Sequence, residues 1–234
     1  KHVFIVDFSF ARPTLEKMHR QSKSLLVLDH HKTAAEELEG LPYARFDLAR
    51  CGAVITWNHC FPGAPVPEIL NYVQDRDLWK WELPQSRAIS AAMMSYPFDF
   101  PSFDALTDRA PASLVPEGEV ILRYQKKLVA QAKLMSWREK IAGFVVPTVN
   151  STILFSEIAD ELAREEPFAV CYFDEPGRRS YALRSRNGGV DVSAVAREFG
   201  GGGHPNASGF QIPRPDISIV SPRKKKAPPR RRTA

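Results

Sequence analysis

The sequence predicts an α/β protein in which a parallel-sheet domain is joined by a long helix to a smaller α/β domain. Apolar runs of strand length alternate with helical segments, which is the pattern of a parallel sheet with crossover helices. A helical pattern over residues 117–141 exceeds the average helix in length and separates two compact segments, which is typical of a linker between domains. The predicted units are 1–116, 117–141, 142–219 and a disordered basic tail at 220–234.

The first domain is predicted from two buried strands and a series of short helices. The runs VFIVD at residues 3–7 and LLVLD at 25–29 are apolar up to a final aspartate, as expected for strands covered on both faces. The other elements predicted here are a helix at 14–22 after Pro13, a short helix at 33–38, a strand at 43–46, helices at 52–61 and 67–73, and a partly helical stretch at 96–116.

Strands and helices alternate again in the second domain. The predicted strands lie at 144–149, 151–155, 168–174, 180–186 and 209–212, and the predicted helices at 156–164 and 191–199. The Pro-rich basic end of the chain cannot bury an apolar face, which is why we expect it to be disordered.

The positive charge of the chain is concentrated at one end. The 234 residues carry a formal net charge of +5, yet the last twelve, RKKKAPPRRRTA, hold seven basic residues and no acid. The other 25 basic residues face 27 acidic ones, so the body of the chain is near neutral. Binding to nucleic acid by net charge would therefore depend on the tail.

Apolar runs and cysteines indicate the class of protein. No apolar run reaches the ~18 residues of a membrane span, so no membrane partner is expected. Three cysteines at irregular spacing predict neither a disulfide framework nor a zinc pair, and we interpret them as buried thiols in a reducing compartment. These observations together predict a cytoplasmic globular protein.

Acidic and histidine side chains follow the two buried strands. Asp7 ends the first apolar run, and Asp29, His30 and His31 end the second. Because ligand sites of parallel sheets lie beyond the carboxyl ends of the strands, we expect both groups to face one crevice. Carboxylates mixed with imidazoles suit Mn²⁺, Fe or Zn²⁺, and oxygen-rich surroundings favour Mn²⁺. An isolated aspartate at a strand end is more often a helix cap, so the Asp-His-His triplet is the stronger indication.

Two further acids, Asp75 and Asp77, follow an apolar helical stretch. They are candidates for the same site, with solvated turn residues as the alternative. Trp79 and Trp81 come directly after them, and packing explains such tryptophans better than a stacking platform does.

A run of four glycines, Gly200–Gly203, precedes His204 in the second domain. Such a run lets backbone N–H groups approach an anion closely, and His204, with Asn206 as a further candidate, can donate to a phosphate or a base. A flexible linker would continue in Ser/Gly composition, whereas this segment continues as HPNASGF. Arg184 lies on a predicted strand of the same domain and is either a partner for the same anion or a solvated surface residue.

These motifs, in this order, resemble those of the DHH/DHHA1 phosphoesterases. LLVLDHHKTA is similar to the Asp-His-His signature, VFIVDFS to the strand-end aspartate motif before it, and DVSAVAREFGGGGHPNASGF to the Gly-Gly-Gly-His motif of the C-terminal DHHA1 domain. The resemblance covers nearly the whole chain. It implies a DHH catalytic domain at 1–116, a DHHA1 substrate-binding domain at 142–219, and hydrolysis of phosphodiester or phosphoanhydride bonds at a two-metal site, usually with Mn²⁺, and with Mg²⁺ or Co²⁺ as alternatives.

The resemblance also implies roles for single residues. Asp7 and His30 match metal ligands, and a later ligand falls at Asp75 or Asp77. His31 matches a residue near the scissile phosphate, and Asp29 would orient the neighbouring imidazoles as a catalytic-site acid. The implied substrate-binding residues are Arg184, Gly201, Gly202, Gly203, His204 and Asn206.

One motif of the family, a His followed by two spaced aspartates, has no counterpart ahead of Asp7. We therefore expect N-terminal residues to be missing from the sequence, and the chain as written to bind metal poorly and to be nearly inactive.

The function predicted for the complete protein is metal-dependent hydrolysis of phosphodiester or phosphomonoester bonds in short RNA, short DNA or nucleotides. The near-neutral body favours short substrates. The alternatives are an exopolyphosphatase and a non-catalytic nucleic-acid-binding or regulatory relative, which the basic tail would support. The resemblance further implies that a homodimer can form.

Overall fold

The computed structural model describes residues 1–214, in which a long helix separates two β-sheets along the chain. The elements before that helix are β1 (His2–Val6), α1 (Arg12–Gln21), β2 (Ser24–Asp29), α2 (Lys32–Glu37), β3 (Ala44–Phe46), α3 (Gly52–Cys60), α4 (Glu68–Asp77), α5 (Ser86–Met93), α6 (Phe100–Thr107) and a 3-10 turn (Pro111–Leu114). The elements from the helix onward are α7 (Val115–Leu134), β4 (Trp137–Ile141), β5 (Phe144–Asn150), α8 (Phe155–Leu162), a 3-10 turn (Ala163–Glu165), β6 (Ala169–Glu175), β7 (Arg178–Arg184), α9 (Val192–Arg197), β8 (Gly202–His204) and β9 (Ala207–Pro213).

The first sheet is parallel, with strand order β1-β2-β3. Ile5 lies opposite Val27, and Asp29 opposite Phe46, so the carboxyl ends of the strands meet at one edge. The core under this sheet contains the buried side chains of Ile5, Leu15, Leu25, Val27 and Leu38. This packing holds the ends of β1 and β2 side by side.

A helical layer follows the first sheet and forms a core of its own. Ile69 of α4, Ile89 of α5, Leu106 of α6 and Leu114 are buried together there. α7 crosses α5 so closely that a Cβ on Gly118 would lie 1.8 Å from the carbonyl oxygen of Ala88. Helix α5 was not predicted; its buried face, which includes Ala88 and Ile89, packs against α4 and α7.

The second sheet has strand order β4-β5-β6-β7-β9-β8, in which β5 and β6 are parallel and the other neighbours antiparallel. Its residues alternate between two cores. Val170 packs with α9 on one face, and Cys171 packs with α8 on the other. The predicted class, an α/β protein with a parallel sheet and a second α/β part, is confirmed.

The long helix ends earlier than predicted. The sequence predicts a helix that continues to residue 141, but α7 ends at Leu134 and Trp137–Ile141 forms strand β4. Ala142 and Gly143 have φ of 47° and 85°, and they form the two-residue turn of a hairpin with β5. Pairing in the sheet overrides the local helical preference of the Arg-Glu-Lys sequence in β4. The predicted strand at 151–155 is also wrong, because β5 ends at Asn150 and α8 begins at Phe155.

Two further predictions concern the basic tail and the absence of a membrane span. The tail expected at 220–234 lies outside the described residues. Among residues 1–214, every helix is too short or too polar to pass through a lipid bilayer.

Candidate active site

Three side chains from three elements converge at the carboxyl edge of the first sheet. Asp7 follows β1, His30 follows β2, and Asp77 is the last residue of α4. His30 Nε2 lies 3.2 Å from Asp7 Oδ1 and 3.4 Å from Asp77 Oδ2. The three donor atoms lie within 4.8 Å of one another, close enough to hold a single cation.

Asp7 is held in an unusual backbone conformation. Its φ is 66°, a region that non-glycine residues enter only when the surrounding structure fixes them, and its N–H donates to Leu28 O at 2.9 Å. The carboxylate lies against Gly52, the first residue of α3. A Cβ on Gly52 would lie 2.1 Å from Asp7 Oδ1, so only glycine leaves room for the carboxylate there. Gly52 was not among the predicted site residues, because its only signal in the sequence is a glycine at a predicted helix start.

Asp29 lies beneath the site and is completely buried. Its Oδ1 is 2.7 Å from His31 Nδ1 and accepts from the backbone N–H of His30 at 2.7 Å, while Ser9 donates its hydroxyl to Oδ2 at 2.6 Å. Burial alone would raise the pKa of Asp29, but the hydrogen bonds from His31 and Ser9 outweigh it and lower the pKa to about 2. The same bond to Asp29 raises the pKa of His31. His31 is therefore oriented through Nδ1, and Nε2 is the ring nitrogen left for other contacts.

The structure separates the two candidates Asp75 and Asp77. Asp75 is buried and accepts from the backbone N–H of Glu82 at 2.9 Å and of Leu83 at 3.4 Å, so it fixes the loop after α4. Asp77 lies instead beside His30 and Asp7. Burial raises the pKa of Asp77, the attraction of His30 opposes this, and the neighbouring Asp7 carboxylate adds to it. Only Asp77 of the two joins the group at the sheet edge.

The glycine run of the second domain lies directly on the Asp-His-His segment. Gly203 donates its N–H to Thr33 Oγ1 at 3.0 Å, and a Cβ on Gly202 would lie 2.6 Å from the same oxygen. The ring of His204 stacks on His31 at 4.7 Å. Burial lowers the pKa of His204 to about 4, and the neighbouring His31 and His30 add to this.

Two ion pairs join the same two segments of the chain. Lys32 Nζ lies 2.7 Å from Asp191 Oδ2, and Arg197 pairs with Glu36. Asp191 also accepts from the Ser193 backbone N–H at 2.9 Å and caps α9. Polar contacts from α2 thus hold the glycine segment and α9 in place.

Two of the predicted substrate-binding residues do not line the cleft between these segments. A Cβ on Gly201 would lie 2.1 Å from Gly209 O, so its glycine is required by packing within the second domain. The Asn206 side chain donates to Asn187 Oδ1 at 2.5 Å and accepts from Ser185 Oγ at 3.1 Å. These bonds tie down the loop around Asn187.

Arg184 does line the cleft, which has a volume of about 520 Å³. Its guanidinium donates to Leu183 O at 3.1 Å and to Ser156 Oγ at 2.7 Å, and lies 5.7 Å from the ring of Trp79. Among the described residues its Nε has no partner and no carboxylate lies within 4.0 Å of it. Burial lowers the pKa of this guanidinium. A buried cation without an acidic partner is a site for an anion.

The donor set fits a divalent cation. Two carboxylates and one imidazole suit Mn²⁺, Fe or Zn²⁺. His30 Nδ1 is buried and has no hydrogen-bond partner among the described residues, so its Nε2 beside the two carboxylates is the polar contact of this ring. His30, His31 and His204 form a second group whose donor atoms lie within 4.8 Å. The first group includes the oxygen ligands of Asp7 and Asp77 beside His30 Nε2, whereas the three imidazoles supply nitrogen only.

Comparison with known proteins identifies relatives of the second domain and of the chain. The sequence profile of the DHHA1 domain matches residues 139–220. This stretch of the chain is therefore similar to DHHA1 domains. The resemblance to the DHH/DHHA1 phosphoesterases that the motifs predict is thereby confirmed, and β4, which the sequence analysis placed in the linker helix, overlaps the start of the DHHA1 match.

Two curated relatives extend beyond the DHHA1 domain. The chain is 34% identical over 228 residues to the uncharacterized protein R106 of Acanthamoeba polyphaga mimivirus, and 25% identical over 244 residues to the oligoribonuclease NrnB of Bacillus subtilis. Each match covers 90% of this chain, and the chain spans only 53% and 59% of the lengths of these relatives. Among solved structures, the pGpG-specific phosphodiesterase PggH of Vibrio cholerae is similar over 91% of this chain and 92% of its own, at 15% identity and a TM-score of 0.44.

Proposed function

We propose that this protein is a metal-dependent phosphoesterase that hydrolyses phosphodiester or phosphomonoester bonds of short oligonucleotides or nucleotides. The observation that carries the proposal is the group of Asp7, His30 and Asp77 at the edge of a cleft, which Asp77 lines together with His31, Gly203, His204 and Arg184. One side suits a cation and the other an anion. A phosphate ester lying between them would contact both.

On the cation side we assign Asp7, His30 and Asp77 as ligands of Mn²⁺, with Mg²⁺ or Co²⁺ as substitutes. The cation would supply an activated water and neutralise charge on the phosphate oxygens. Gly52 leaves space for the Asp7 carboxylate, and the conformation of Asp7 fixes its direction. Because these three residues bind one cation, a second metal would require further ligands, and the two-metal site stays a prediction.

His31 is the residue we assign to proton transfer. Asp29 holds its Nδ1 at 2.7 Å and raises its pKa, which favours the protonated ring. A protonated His31 that lines the cleft can give a proton to the leaving oxygen from Nε2, or stabilise the charge that develops on it. Asp29 acts through His31, whose Nδ1 it holds, and is not part of the Asp7–His30–Asp77 group.

On the anion side we assign Arg184 and His204 to phosphate or base contacts, and Gly202 and Gly203 to the close approach of their backbone to Thr33 beside these contacts. The Arg184 guanidinium is buried without an acidic partner among the described residues, so a phosphate would supply the negative charge that pairs with it. Gly201 and Asn206 are assigned to the packing of this domain, since neither lines the cleft.

The substrate class is a short nucleotide chain. A cleft of about 520 Å³ lies in the roughly 300–1,000 Å³ range of small-ligand sites, which suits one or two nucleotides. The curated relative NrnB is named an oligoribonuclease, which supports short RNA. Polyphosphate remains the second substrate to test, because the same anion contacts would accept it.

The test is release of mononucleotide from an RNA dinucleotide by the purified full-length protein, with Mn²⁺ and after chelation. We expect turnover only with the metal, and its loss in His30→Ala and in Asp7→Ala. The control is His19→Ala, since His19 is exposed and stacks on Tyr43 outside the site.

Wild-type rates in both His30→Ala and Asp7→Ala would contradict the proposed metal site. RNA binding without turnover by the wild-type protein would favour a non-catalytic binding module instead. The cytoplasmic location, the homodimer, the weak activity expected of the chain as written and the contact of the basic tail with nucleic acid stay predictions.

A further inference from the structure

Two further concavities adjoin the cleft and continue it toward helix α7. The first, of about 480 Å³, shares Phe155 and Arg184 with the cleft. The second, of about 570 Å³, shares Trp81, Arg87 and Leu122 with the first. Each has the size of a small-ligand site. The cleft and the two concavities thus form a row in which neighbouring cavities share lining residues. We call the two added concavities the α7 track.

Basic side chains outnumber acidic ones along the α7 track. Its lining includes five cations and two carboxylates: Arg76, Arg87, Arg123, Lys126, Arg184, Glu119 and Glu157. Glu157 is already paired with Arg76 at 3.5 Å. In residues 1–214, Arg87, Arg123 and Lys126 have no carboxylate within 4.0 Å. The track therefore has a local excess of positive charge although the body of the chain is near neutral.

Aromatic and polar groups lie between these cations. The Arg87 guanidinium stacks over Trp81 at 4.2 Å, and Trp79 packs edge-on against Trp81 at 5.0 Å. Trp79 Nε1, Trp81 Nε1 and Ser86 Oγ are buried, and no hydrogen bond reaches them from the described part of the chain. Because these three atoms are enclosed by the protein, the part of this group that a ligand in the track can reach is the stacked Trp81–Arg87 pair.

We propose that the α7 track binds the nucleotides of an oligonucleotide that extend beyond the one held in the cleft. This inference rests on the proposed function and adds to it that the preferred substrate is a chain of several nucleotides. Arg87, Arg123 and Lys126 contact successive phosphates. The Trp81–Arg87 stack offers a planar surface on which a base can lie, as aromatic rings and guanidinium planes do in single-strand binding sites.

The track fits a nucleotide chain better than a polyphosphate chain. Polyphosphate has no bases and would use only the cations, leaving the Trp81–Arg87 stack without a planar partner. A single strand supplies both phosphates and planar polar bases. A long duplex is a poor fit, since the concavities are separate small volumes joined at Arg184 and Arg87.

The test compares a dinucleotide with a pentanucleotide RNA in the wild-type protein and in Arg123→Ala/Lys126→Ala. We expect the wild type to have a kcat/KM for the pentanucleotide about tenfold above that for the dinucleotide, and the double variant to lose this preference while cleaving the dinucleotide normally. The slope of log Kd against log salt for a non-hydrolysable pentanucleotide should fall by about 0.7 for each phosphate contact removed.

The matched control is Arg20→Ala/Lys127→Ala, which removes the same charge from exposed positions outside the cleft and the track. Equal pentanucleotide kinetics and salt slopes in both double variants would overturn the inference. A length preference for polyphosphate with none for RNA would overturn it too. If the wild type cleaves neither RNA, the proposed function fails. Binding of the non-hydrolysable pentanucleotide to the wild type and the two double variants still tests the α7 track independently of cleavage.

Discussion

The two sides of the cleft present their polar groups by opposite means. On the first side, the polar groups belong to side chains: Asp7, His30 and Asp77 project from the ends of β1, β2 and α4. On the second side, the absence of side chains matters, because Gly202 and Gly203 bring backbone against Thr33. The first side should therefore fail when a functional group is removed or displaced, and the second when bulk is added or a backbone contact is lost.

The contacts between the two sides are polar. Gly203 bonds Thr33, and Lys32 pairs with Asp191 across the same boundary. Interfaces of this kind between domains open more easily than apolar ones, so the cleft has the means to admit and release substrate.

The largest expected effect comes from adding one methyl group beside Asp7. In Gly52→Ala the new Cβ would lie 2.1 Å from Asp7 Oδ1, so the carboxylate must move. A displacement of about 1 Å at a reacting centre costs on the order of a hundredfold, and we expect at least that loss in kcat for dinucleotide hydrolysis. Unchanged kcat would show that the position of Asp7 does not matter.

The control for that variant is the same change away from the site. In Gly118→Ala the Cβ would lie 1.8 Å from Ala88 O, between α5 and α7. Overpacking of this kind costs about 1–3 kcal/mol of unfolding free energy, which urea denaturation measures. The folded fraction should keep its kcat, which separates a loss of stability from a loss of site geometry.

A smaller effect is expected on the anion side. His204→Asn removes a ring that stacks on His31 and lies outside the Asp7–His30–Asp77 group. We expect KM for the dinucleotide to rise about tenfold, as for the loss of one contact to a charged group, while metal content stays the same. A fall in metal content with unchanged KM would instead place His204 among the metal ligands.

Loss of the hydrogen bond between Gly203 and Thr33 should have a modest effect. Thr33→Val keeps the shape of the side chain but removes the oxygen that accepts from Gly203 N–H at 3.0 Å. One such bond is worth about 0.5–1.5 kcal/mol, so KM should rise roughly two- to tenfold with kcat less affected. Thr33→Ser should restore the wild-type value, and failure of this rescue would mean that packing, not the bond, is responsible.

The smallest effect concerns the pH dependence of stability. Burial tends to raise the pKa of Asp191, but the hydrogen bonds from Lys32 and Ser193 outweigh it and lower the pKa to about 2. A depressed pKa stabilises the fold above the unfolded value of 3.8, and this contribution is lost as pH falls toward 2. Because the Lys32–Asp191 pair is partly exposed and screened, we expect it to contribute about 0.5 kcal/mol.

Urea unfolding of the wild type and Asp191→Asn tests this pair. The difference in unfolding free energy should be constant between about pH 5 and 8 and should shrink below about pH 4. A difference that grows on acidification would have the wrong sign for this carboxylate.

The sequence predicts the fold where periodicity and turn residues agree. Buried strands such as β1 and β2 are visible as apolar runs, and their common edge follows from parallel topology. The predicted end of α7 is wrong, because Arg, Glu and Lys favour a helix locally, whereas pairing with β5 makes residues 137–141 a strand. Helix α5 depends on close packing against Gly118, which no local pattern reports.

The candidate site was also predictable only in part. The motifs indicate Asp7 and His30, but Asp75 and Asp77 are alike in sequence and differ only in three dimensions, where Asp75 accepts backbone N–H groups of the next loop. Gly201 and Asn206 lie in the glycine motif, yet their contacts are internal to the second domain. Net charge could not reveal the α7 track, since the cations that line it come from distant parts of the chain.

Equilibrium binding of Mn²⁺, measured by electron paramagnetic resonance, tests the central claim most directly, because it needs no assumption about substrate. Asp77→Asn should weaken Mn²⁺ binding by at least about tenfold, since it removes one charged oxygen ligand. Asp75→Asn should leave the Mn²⁺ affinity within about twofold of the wild type, although it loosens the loop that Asp75 holds. Wild-type affinity in Asp77→Asn, or a loss confined to Asp75→Asn, would contradict the metal site described for Asp7, His30 and Asp77.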